Sequence, residues 1–320
     1  MFEKIPIILN SEELIERSLN RTKKIQIHDR NTQYKLKKTI IAKTESFSTI
    51  VVDTLEKYVK EFPSIDNLPK FYQEILDIKI NLDKLKKSLG AVDWARKTCF
   101  MISSKQLKTL KKSKKVDFLK MKQKEIYGRL SSVIKQVNNE LIILSEARNL
   151  LKKLPEIMDL PTVVIAGYPN VGKSSLLSCL SSAKPKIAQY PFTTKEIHVG
   201  HIEKKIRYEQ YRLQIIDTPG LLDRPISKRN DIEMQAIAAL AHLADLIVFV
   251  IDSSETCGYS LNDQKNLLER IKNLFKDSDL IIVENKSDIK SIDTKYFKIS
   301  CKTKEGIDDL LNEILKRFVE

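Results

Sequence analysis

Glycine, cysteine, tryptophan and long apolar runs are all scarce in this 320-residue chain, which has 8 Gly, 4 Cys and 1 Trp. The cysteines form no CxxC pair and no cluster with histidine, which argues against a disulfide framework and a zinc site. No apolar run approaches the roughly 18 to 20 residues of a membrane helix. Acidic residues follow the short apolar N-terminus at once, a pattern that excludes a signal peptide. We therefore expect a cytoplasmic protein that has no membrane partner.

Positive charge lies mainly in the first half of the chain. Residues 1–160 contain 33 Lys and Arg against 20 Asp and Glu, whereas residues 161–320 contain 23 against 22. Glycine is distributed the other way, and most of it lies in the second half. In the segment PEIMDLP an amphipathic pattern ends and a β-branched run begins, which favours a boundary. We predict one domain over residues 1–158 and a second over residues 159–320.

The first half has the apolar spacing of a helical bundle. From Leu130 to Leu154 apolar residues recur every three or four positions, which predicts one long helix with a single apolar stripe. Such a stripe needs partner helices, so we predict an antiparallel bundle. The predicted partners lie around residues 11–20 and 45–61 and at 67–90, with Asn67 as N-cap and Gly90 as the end.

The second half alternates short β-branched strands with helical patterns. The strand TVVIAG precedes the helix KSSLLSCLSS, and LIVFVID precedes DQKNLLERIKNLF. This alternation indicates a parallel sheet that helices cover on both faces. The predicted fold class is α/β, with an antiparallel helical bundle followed by a mostly parallel, doubly wound sheet.

Residues 167–174, GYPNVGKS, match the phosphate-binding pattern GxxxxGK[ST] between a strand and a helix. In such a loop, backbone N–H groups and the helix N-terminus bind phosphate. The lysine, here Lys173, reaches the β- and γ-oxygens, and the Ser174 hydroxyl binds Mg²⁺. The predicted nucleotide contacts in and beside this loop are Gly167, Tyr168, Pro169, Asn170, Val171, Gly172, Lys173, Ser174 and Ser175.

Two later segments are predicted to complete the phosphate site. Asp217 begins DTPG at a strand end and would hold Mg²⁺ through a water, while the Gly220 N–H would contact the γ-phosphate. In YPFTT a threonine hydroxyl would complete the Mg²⁺ shell, and we choose Thr194 over Thr193. Phe192 and Thr193 are further predicted nucleotide contacts, and the predicted catalytic groups are Lys173, Thr194 and Gly220.

The motif NKSD predicts that the base is guanine. The carboxylate of Asp288 can accept both the N1–H and the N2 amine of guanine, and adenine offers no such pair of donors. Asn285 would fasten neighbouring loops, and the stem of Lys286 would cover the base face. These residues predict GTP and GDP as ligands and argue against an ATPase. A backbone N–H for guanine O6 would come from the segment Ser300, Cys301 and Lys302.

Together, GYPNVGKSS, YPFTT, DTPGLLDRP, NKSD and SCK resemble the motifs of the Obg-type GTPases. The continuation RNDIEMQAIAALAHL and the segment FPSIDNLPKFYQEILDIKINLDKLKKSLGAVDWA are similar to the nucleolar GTP-binding (Nog) branch. Because the sequence ends at the last predicted helix of the GTPase domain, we expect the short, archaeal-type form. The resemblance implies a GTPase that acts in assembly of the large ribosomal subunit. It also implies that the helical domain binds rRNA in a pre-ribosomal particle.

The rate of hydrolysis is predicted to be low. Leu221 follows DTPG, where many switch GTPases have the glutamine that orients the attacking water. We therefore expect activation by a cation or a bound partner. The resemblance implies a potassium ion at Asn170, and the alternative is that Asn170 only caps the loop. We expect a solvated or partner-facing role, rather than an arginine finger, for Arg224, Lys228 and Arg229.

Residues 105–124 hold nine lysines and a single acid, Asp117. Such a run can be a plain solvated helix face, but the charge surplus of its half favours RNA, whose phosphates lysines contact without reading sequence. We expect Trp94 in the core rather than in base stacking. A second basic group lies between Arg21 and Lys38. The predicted RNA contacts are Lys105, Lys108, Lys111, Lys112, Lys114, Lys115, Lys120, Lys122 and Lys124.

Two functions stay open. The first is a GTP-driven assembly switch on ribosomal RNA, monomeric when free, whose GTP form orders the loops of Thr194 and Gly220. The second is a translation-associated or signalling GTPase whose helical domain binds a protein partner. An acidic membrane surface is disfavoured as a partner, because the bundle has no basic amphipathic helix with large aromatic anchors.

Overall fold

The computed structural model describes residues 2–113, 115–189, 196–206, 208–219, 222 and 237–318. The chain forms two compact units. Unit 1 comprises Met1–Leu68 and Lys79–Lys152, and unit 2 comprises Pro69–Ile78 and Lys153–Glu320. We predicted a single boundary, between residues 158 and 159. That prediction did not include the assignment of the short segment Pro69–Ile78 to unit 2.

Unit 1 is built from long helices that pack side by side. The sequence specifies the start of the first helix through a reciprocal capping box between Asn10 and Glu13. The buried side chains of this helix then follow at helical spacing. The described core of this unit includes Phe47, Leu85 and Leu130, each fully buried. The α-helices, including α3 of unit 2, are α1 (Ser11–Lys23), α2 (Thr32–Lys60), α3 (Lys70–Ile80), α4 (Leu82–Lys112), α5 (Val116–Gln136) and α6 (Asn138–Lys153).

The helix predicted over residues 67–90 is divided in the structure. Asn81 separates α3 from α4, with a φ of 72° and a side chain that accepts a hydrogen bond from the Lys84 N–H at 3.1 Å. Asparagine tolerates the left-handed region and is a strong N-cap, so it can end one helix and begin the next. Gly90 ends no helix, since α4 continues through it.

The helix predicted from Leu130 to Leu154 is also divided. α5 and α6 meet at Val137, where φ is −104° and ψ is 22°. The apolar stripe continues across this break, because Leu130, Leu141 and Leu151 are all buried. The periodicity therefore identified the buried face correctly but could not show the interruption in the backbone.

Trp94 does not lie in the core, and that prediction was wrong. Trp94, on α4, is 48% exposed, and Phe100 and Met101 on the same helix are 58% and 62% exposed. The core positions of α4 are taken instead by residues such as Leu85 and Val92. Aromatic character alone therefore did not show which side of the helix is buried.

Unit 2 contains a seven-stranded sheet in the order β2-β3-β4-β1-β5-β6-β7. Strands β1, β4, β5, β6 and β7 pair in parallel, and β2 and β3 add an antiparallel edge. The mostly parallel α/β fold is thus confirmed. The strands are β1 (Thr162–Ala166), β2 (Lys186–Gln189), β3 (Glu196–Ile206), β4 (Glu209–Asp217), β5 (Leu246–Asp252), β6 (Asp279–Asn285) and β7 (Phe297–Lys298).

Helices cover both faces of this sheet. Val248 of β5 packs in one core cluster with α7 (Lys173–Leu180) and α9 (Ile307–Lys316). Its neighbour Ile247 points to the other face, where it lines a small cavity with Ile271 of α8 (Leu261–Leu274). In the part of the chain that the structure describes, no helix is long and apolar enough to cross a membrane.

Helix α3 packs within unit 2 through two polar contacts. The Tyr72 hydroxyl donates to the Pro155 carbonyl at 2.8 Å and accepts from the Ile157 N–H at 2.7 Å. The Glu74 carboxylate lies 2.7 Å from Nδ1 of His242. These contacts explain why residues 69–78 belong to unit 2 although they precede α4.

Candidate nucleotide-binding site

The loop between β1 and α7 has the backbone of a phosphate-binding loop. Gly167 and Gly172 have φ values of 142° and 103°, and Asn170 has a φ of 61°. A Cβ atom on Gly167 would lie 2.5 Å from the Val250 carbonyl oxygen, and one on Gly172 would lie 2.1 Å from Nδ2 of Asn285. Both glycines are therefore required by conformation and by space. The loop ends at the N-terminus of α7, and the N-terminal end of a helix suits an anion.

Lys173 lies against the loop that it follows. Its side chain is buried, and Nζ donates to the carbonyl oxygens of Gly167 at 2.8 Å and Tyr168 at 2.7 Å. The ammonium group is thereby held inside the loop, where the phosphates of a nucleotide would meet it.

Ser174 and Asp217 form the part of the site that suits a magnesium ion. The Ser174 hydroxyl donates to Oδ2 of Asp217 at 2.5 Å, and Nδ1 of His198 lies 3.7 Å from the same oxygen. Asp217 is fully buried, and its Oδ1 has no hydrogen-bond partner among the described residues. Burial raises the pKa of the Asp217 carboxyl, although the Ser174 hydroxyl and the Lys173 charge oppose the rise.

This donor set fits Mg²⁺. A hydroxyl and a carboxylate with one unused oxygen are hard ligands, and Mg²⁺ uses few protein ligands together with waters and substrate phosphates. Within the described ranges, no cluster of three or more His, Cys, Asp or Glu side chains is placed to hold a metal ion. Ser174 and Asp217 would therefore supply oxygen ligands to an ion that also binds waters and phosphate oxygens.

Asn285 joins the phosphate loop to the segments predicted to read the base. Its Nδ2 donates to the Val171 carbonyl at 2.8 Å, and its Oδ1 accepts from the Cys301 N–H at 3.1 Å. These two bonds connect β1–α7, the end of β6 and the segment after β7. One amide side chain therefore links the predicted phosphate loop to a segment predicted to read the base.

Asp288 is held in place by the last of these segments. Its Oδ1 accepts the Ser300 hydroxyl at 2.7 Å, and the Ser300 oxygen in turn accepts the Thr303 N–H at 3.1 Å. The Ser287 N–H donates to the Ile299 carbonyl at 3.1 Å, which ties the NKSD turn to the same segment. The predicted base-reading residues are thus brought together at one sheet edge.

Lys286 has partners that the sequence did not reveal. Its φ is 62°, and its Nζ lies 2.6 Å from Oδ2 of Asp252 and 2.8 Å from Oγ1 of Thr256. Burial acts to raise the pKa of the Asp252 carboxyl, but hydrogen bonds from Lys286, Ser254 and Thr256 outweigh burial and lower that pKa. Asp252 ends β5 at the carboxyl edge of the sheet, a position that does not by itself mark the residue in the sequence.

Several predicted residues lie outside the described part of the chain. These include the switch residues and the basic residues that follow DTPG. Their predicted roles stay predictions. The residues are Phe192, Thr193, Thr194, Gly220, Leu221, Arg224, Lys228 and Arg229.

The lysine-rich segment spans the end of α4 and the start of α5. Nζ of Lys111 lies 2.5 Å from the Glu45 carboxylate, and Nζ of Lys122 lies 2.7 Å from that of Glu125. Lys114 falls outside the described residues. Most of the segment's charge faces solvent, since the exposed members are Lys105, Lys108, Lys111, Lys112, Lys115, Lys120 and Lys124.

Comparison with known proteins identifies the family. The NOG1 N-terminal helical domain matches residues 2–158, and Nucleolar GTP-binding protein 1 (NOG1) matches residues 231–288. A Methanocaldococcus jannaschii relative, described as uncharacterized protein MJ1408, is 42% identical over 90% of this chain and 81% of its own length. The chain belongs to the Nog family of GTP-binding proteins. This family membership confirms the resemblance found in the sequence.

Other Nog relatives are considerably longer. The Arabidopsis thaliana nucleolar GTP-binding protein 1 is 34% identical over 98% of this chain but only 46% of its own length. The chain spans about half the length of the nucleolar relatives that it matches. A crystal structure described as nucleolar GTP-binding protein 1 from Plasmodium falciparum is 35% identical, covers 52% of this chain and 94% of that one, and has a TM-score of 0.42.

Proposed function

We propose that the chain binds GTP, hydrolyses it to GDP and phosphate, and acts as a GTP-controlled switch in assembly of the large ribosomal subunit. The observation that carries the nucleotide part is the position of Asn285, which joins the phosphate loop to the base-reading segments. A site with a phosphate end and a guanine end at a fixed separation is what a guanine nucleotide requires.

Each described residue of the site has a task in this proposal. The N–H groups that begin α7 bind phosphate, and Lys173 neutralises charge on the transferred group. Asp288 accepts the two guanine donors while Ser300 orients its carboxylate. Mg²⁺, held by Ser174 and through water by Asp217, supplies further positive charge when bound. Thr194 and Gly220 complete the proposal on sequence grounds.

We also propose slow intrinsic hydrolysis. Leu221 cannot orient water, so the missing group comes from a bound partner or from a potassium ion at Asn170. Hydrolysis rates in KCl and in NaCl at equal ionic strength separate these sources. A higher rate in KCl supports potassium, and equal rates would contradict it.

The helical unit is the proposed rRNA-binding part. Ile40, Leu110 and Leu119 pack together, so the start of α2, the end of α4 and the start of α5 lie at one end of unit 1. The lysine-rich segment and the basic residues at the start of α2 therefore share that end. A cationic surface of this kind releases counterions on binding RNA and gives salt-dependent affinity.

A second candidate is supported by one observation. Trp94, Phe100 and Met101 expose apolar surface on α4, which suits a protein partner better than phosphate. The corresponding function is a translation-associated or signalling GTPase whose helical unit binds a protein. For either function we propose a monomer when free and a cytoplasmic location.

Nucleotide competition tests the proposed ligand directly. Fluorescent GDP is bound to the full chain and displaced with GTP, GDP, ATP or ADP in the presence of Mg²⁺. We expect displacement by the guanine nucleotides at concentrations at least a hundredfold lower than by ATP, because adenine cannot satisfy the Asp288 carboxylate. Equal displacement by ATP, or no binding of any nucleotide, would contradict the proposal.

A further inference from the structure

Asp252 is the most heavily hydrogen-bonded carboxylate beside the candidate site, among the residues that the structure describes. Its side chain is fully buried at the end of β5. Oδ2 accepts from Lys286 Nζ at 2.6 Å, from Thr256 Oγ1 at 3.0 Å and from the Cys257 N–H at 2.9 Å. Oδ1 accepts from the N–H of Ser254 at 3.0 Å and from its hydroxyl.

The sheet register explains why Asp252 and Lys286 meet. Asp252 pairs with Asn285 at the ends of β5 and β6, so Lys286 is the first residue beyond the paired strand. Its φ of 62° turns the chain, and its side chain extends to the loop after β5. Gln264 of α8 fixes that loop in turn, because it bonds both the N–H and the carbonyl of Asp252, at 2.8 and 2.9 Å.

The aliphatic part of a lysine side chain packs poorly against a nucleotide base unless its ammonium end is fixed. The side chain has four rotatable bonds and loses much conformational entropy when a base packs on it. Here the ammonium end is already anchored to a buried carboxylate and to a hydroxyl, while the Lys286 side chain stays 22% exposed. The loss of conformational entropy of the Lys286 side chain therefore occurs on folding, before the nucleotide binds.

We propose that Asp252, assisted by Thr256, is a positioning residue that holds the Lys286 stem against the guanine face and so prolongs the residence of the nucleotide. The inference rests on the proposed function, because it assigns a role at the same site. Asp252 acts through Lys286 and does not read the base. The preference for guanine over adenine therefore stays with Asp288.

A double-mutant cycle tests this role. Asp252→Asn removes the charge that anchors the ammonium group, and Lys286→Met keeps a stem of similar length without that group. We measure the dissociation rate of fluorescent GDP from the full chain for both variants and for the double variant. Asp252→Asn should speed dissociation about tenfold, and in the double variant the two effects should not multiply, because the residues act as one unit.

Control variants separate positioning from folding. Lys272→Met removes an exposed ion pair of 2.7 Å with Glu269 on α8, away from the Asp252 loop, and should change the dissociation rate less than twofold. Thermal unfolding shows whether Asp252→Asn folds, and if it does not, Thr256→Val replaces it in the same cycle. The ratio of GDP to ADP affinity should stay constant in every anchoring variant.

Three outcomes can be told apart. Non-multiplying effects with an unchanged base preference support the inference. Effects that multiply in the double variant, or no effect of Asp252→Asn in a folded protein, overturn it while leaving the proposed function intact. A wild-type chain that binds no GDP overturns the proposed function itself.

Discussion

Asn285 Nδ2 donates a hydrogen bond to the Val171 carbonyl at 2.8 Å, and the two residues are 114 positions apart in the chain. The same side chain accepts the Cys301 N–H. These bonds make the phosphate loop and the base-reading segments parts of one assembly. The Asn285 side chain thus links the loop proposed to bind phosphate directly to the segments proposed to read the base.

Replacing Asn285 tests this connection. Asn285→Ala leaves the Val171 carbonyl and the Cys301 N–H without their partner, which should cost about 2 to 4 kcal/mol in the free energy of unfolding. GDP affinity should fall at least tenfold, because the two ends of the site are no longer held together. Asn312→Ala, at an exposed bond to Lys204, is the matched control and should change little. An unchanged GDP affinity in Asn285→Ala would contradict the proposed coupling.

Three glycine-to-alanine substitutions separate the cost of backbone strain at positive φ from the cost of a steric clash of the added Cβ atom. Gly172→Ala combines a φ of 103° with a collision at Asn285 Nδ2, whereas Gly258→Ala has a φ of 89° and open space around its Cβ. We expect a loss of about 1 to 3 kcal/mol for Gly258→Ala and a larger loss, together with loss of GDP binding, for Gly172→Ala. Gly90→Ala, in a helix with open space, should stabilise by about 1 kcal/mol. Denaturant unfolding of the three variants measures the order, and equal losses at Gly172 and Gly258 would be the contrary result.

Removing the Ser174 hydroxyl tests the magnesium site. In Ser174→Ala the affinity for GDP should lose its dependence on Mg²⁺, with a fall of about tenfold or more in the presence of the ion. The titration is repeated in EDTA, where wild type and variant should agree. Ser178→Ala, one turn along α7 and exposed, is the control and should keep the Mg²⁺ response. A variant that responds to Mg²⁺ like wild type would remove Ser174 from the site.

The Tyr72 hydroxyl gives unit 2 a pH dependence in the alkaline range. Burial raises the pKa of Tyr72 to about 12, above the ordinary value of 10.0, so folding favours the protonated hydroxyl. Its contribution is fully present below pH 10 and is lost as the pH rises through 12, with a total of about 2 to 3 kcal/mol. Tyr72→Phe should remove that part of the slope between pH 10 and 12, and the exposed Tyr34→Phe should not. Identical slopes in wild type and Tyr72→Phe would be the opposite finding.

The sequence predicted the fold, and it identified residues that the structure brings together at the candidate site, because strong local patterns specify both. Alternating strands and helices require a parallel sheet, and the spacing of the glycines around Lys173 is satisfied by few other structures. The breaks at Asn81 and Val137 escaped prediction, because apolar periodicity continues across a short backbone interruption. The exposure of Trp94 could not be predicted from the sequence either, because it depends on which helices pack against α4.

Asp252 could not be assigned from the sequence for a different reason. A single aspartate at a strand end has no motif of its own. Its meaning comes from the parallel pairing of β5 and β6, which places it beside Asn285 and within reach of Lys286. Such a relationship between strands is visible only once their order in the sheet is known.

We propose that GTP controls binding of this chain to large ribosomal particles through the basic end of unit 1. The most direct measurement is co-sedimentation with large-subunit particles at increasing salt, with a non-hydrolysable GTP analogue or with GDP, for wild type and for a variant with Lys108, Lys112 and Lys120 changed to Glu. We predict binding that is stronger with the analogue, weakens with salt, and is lost at least tenfold in the variant. Binding that is absent in every nucleotide state, or unaffected by the three substitutions, would contradict the account.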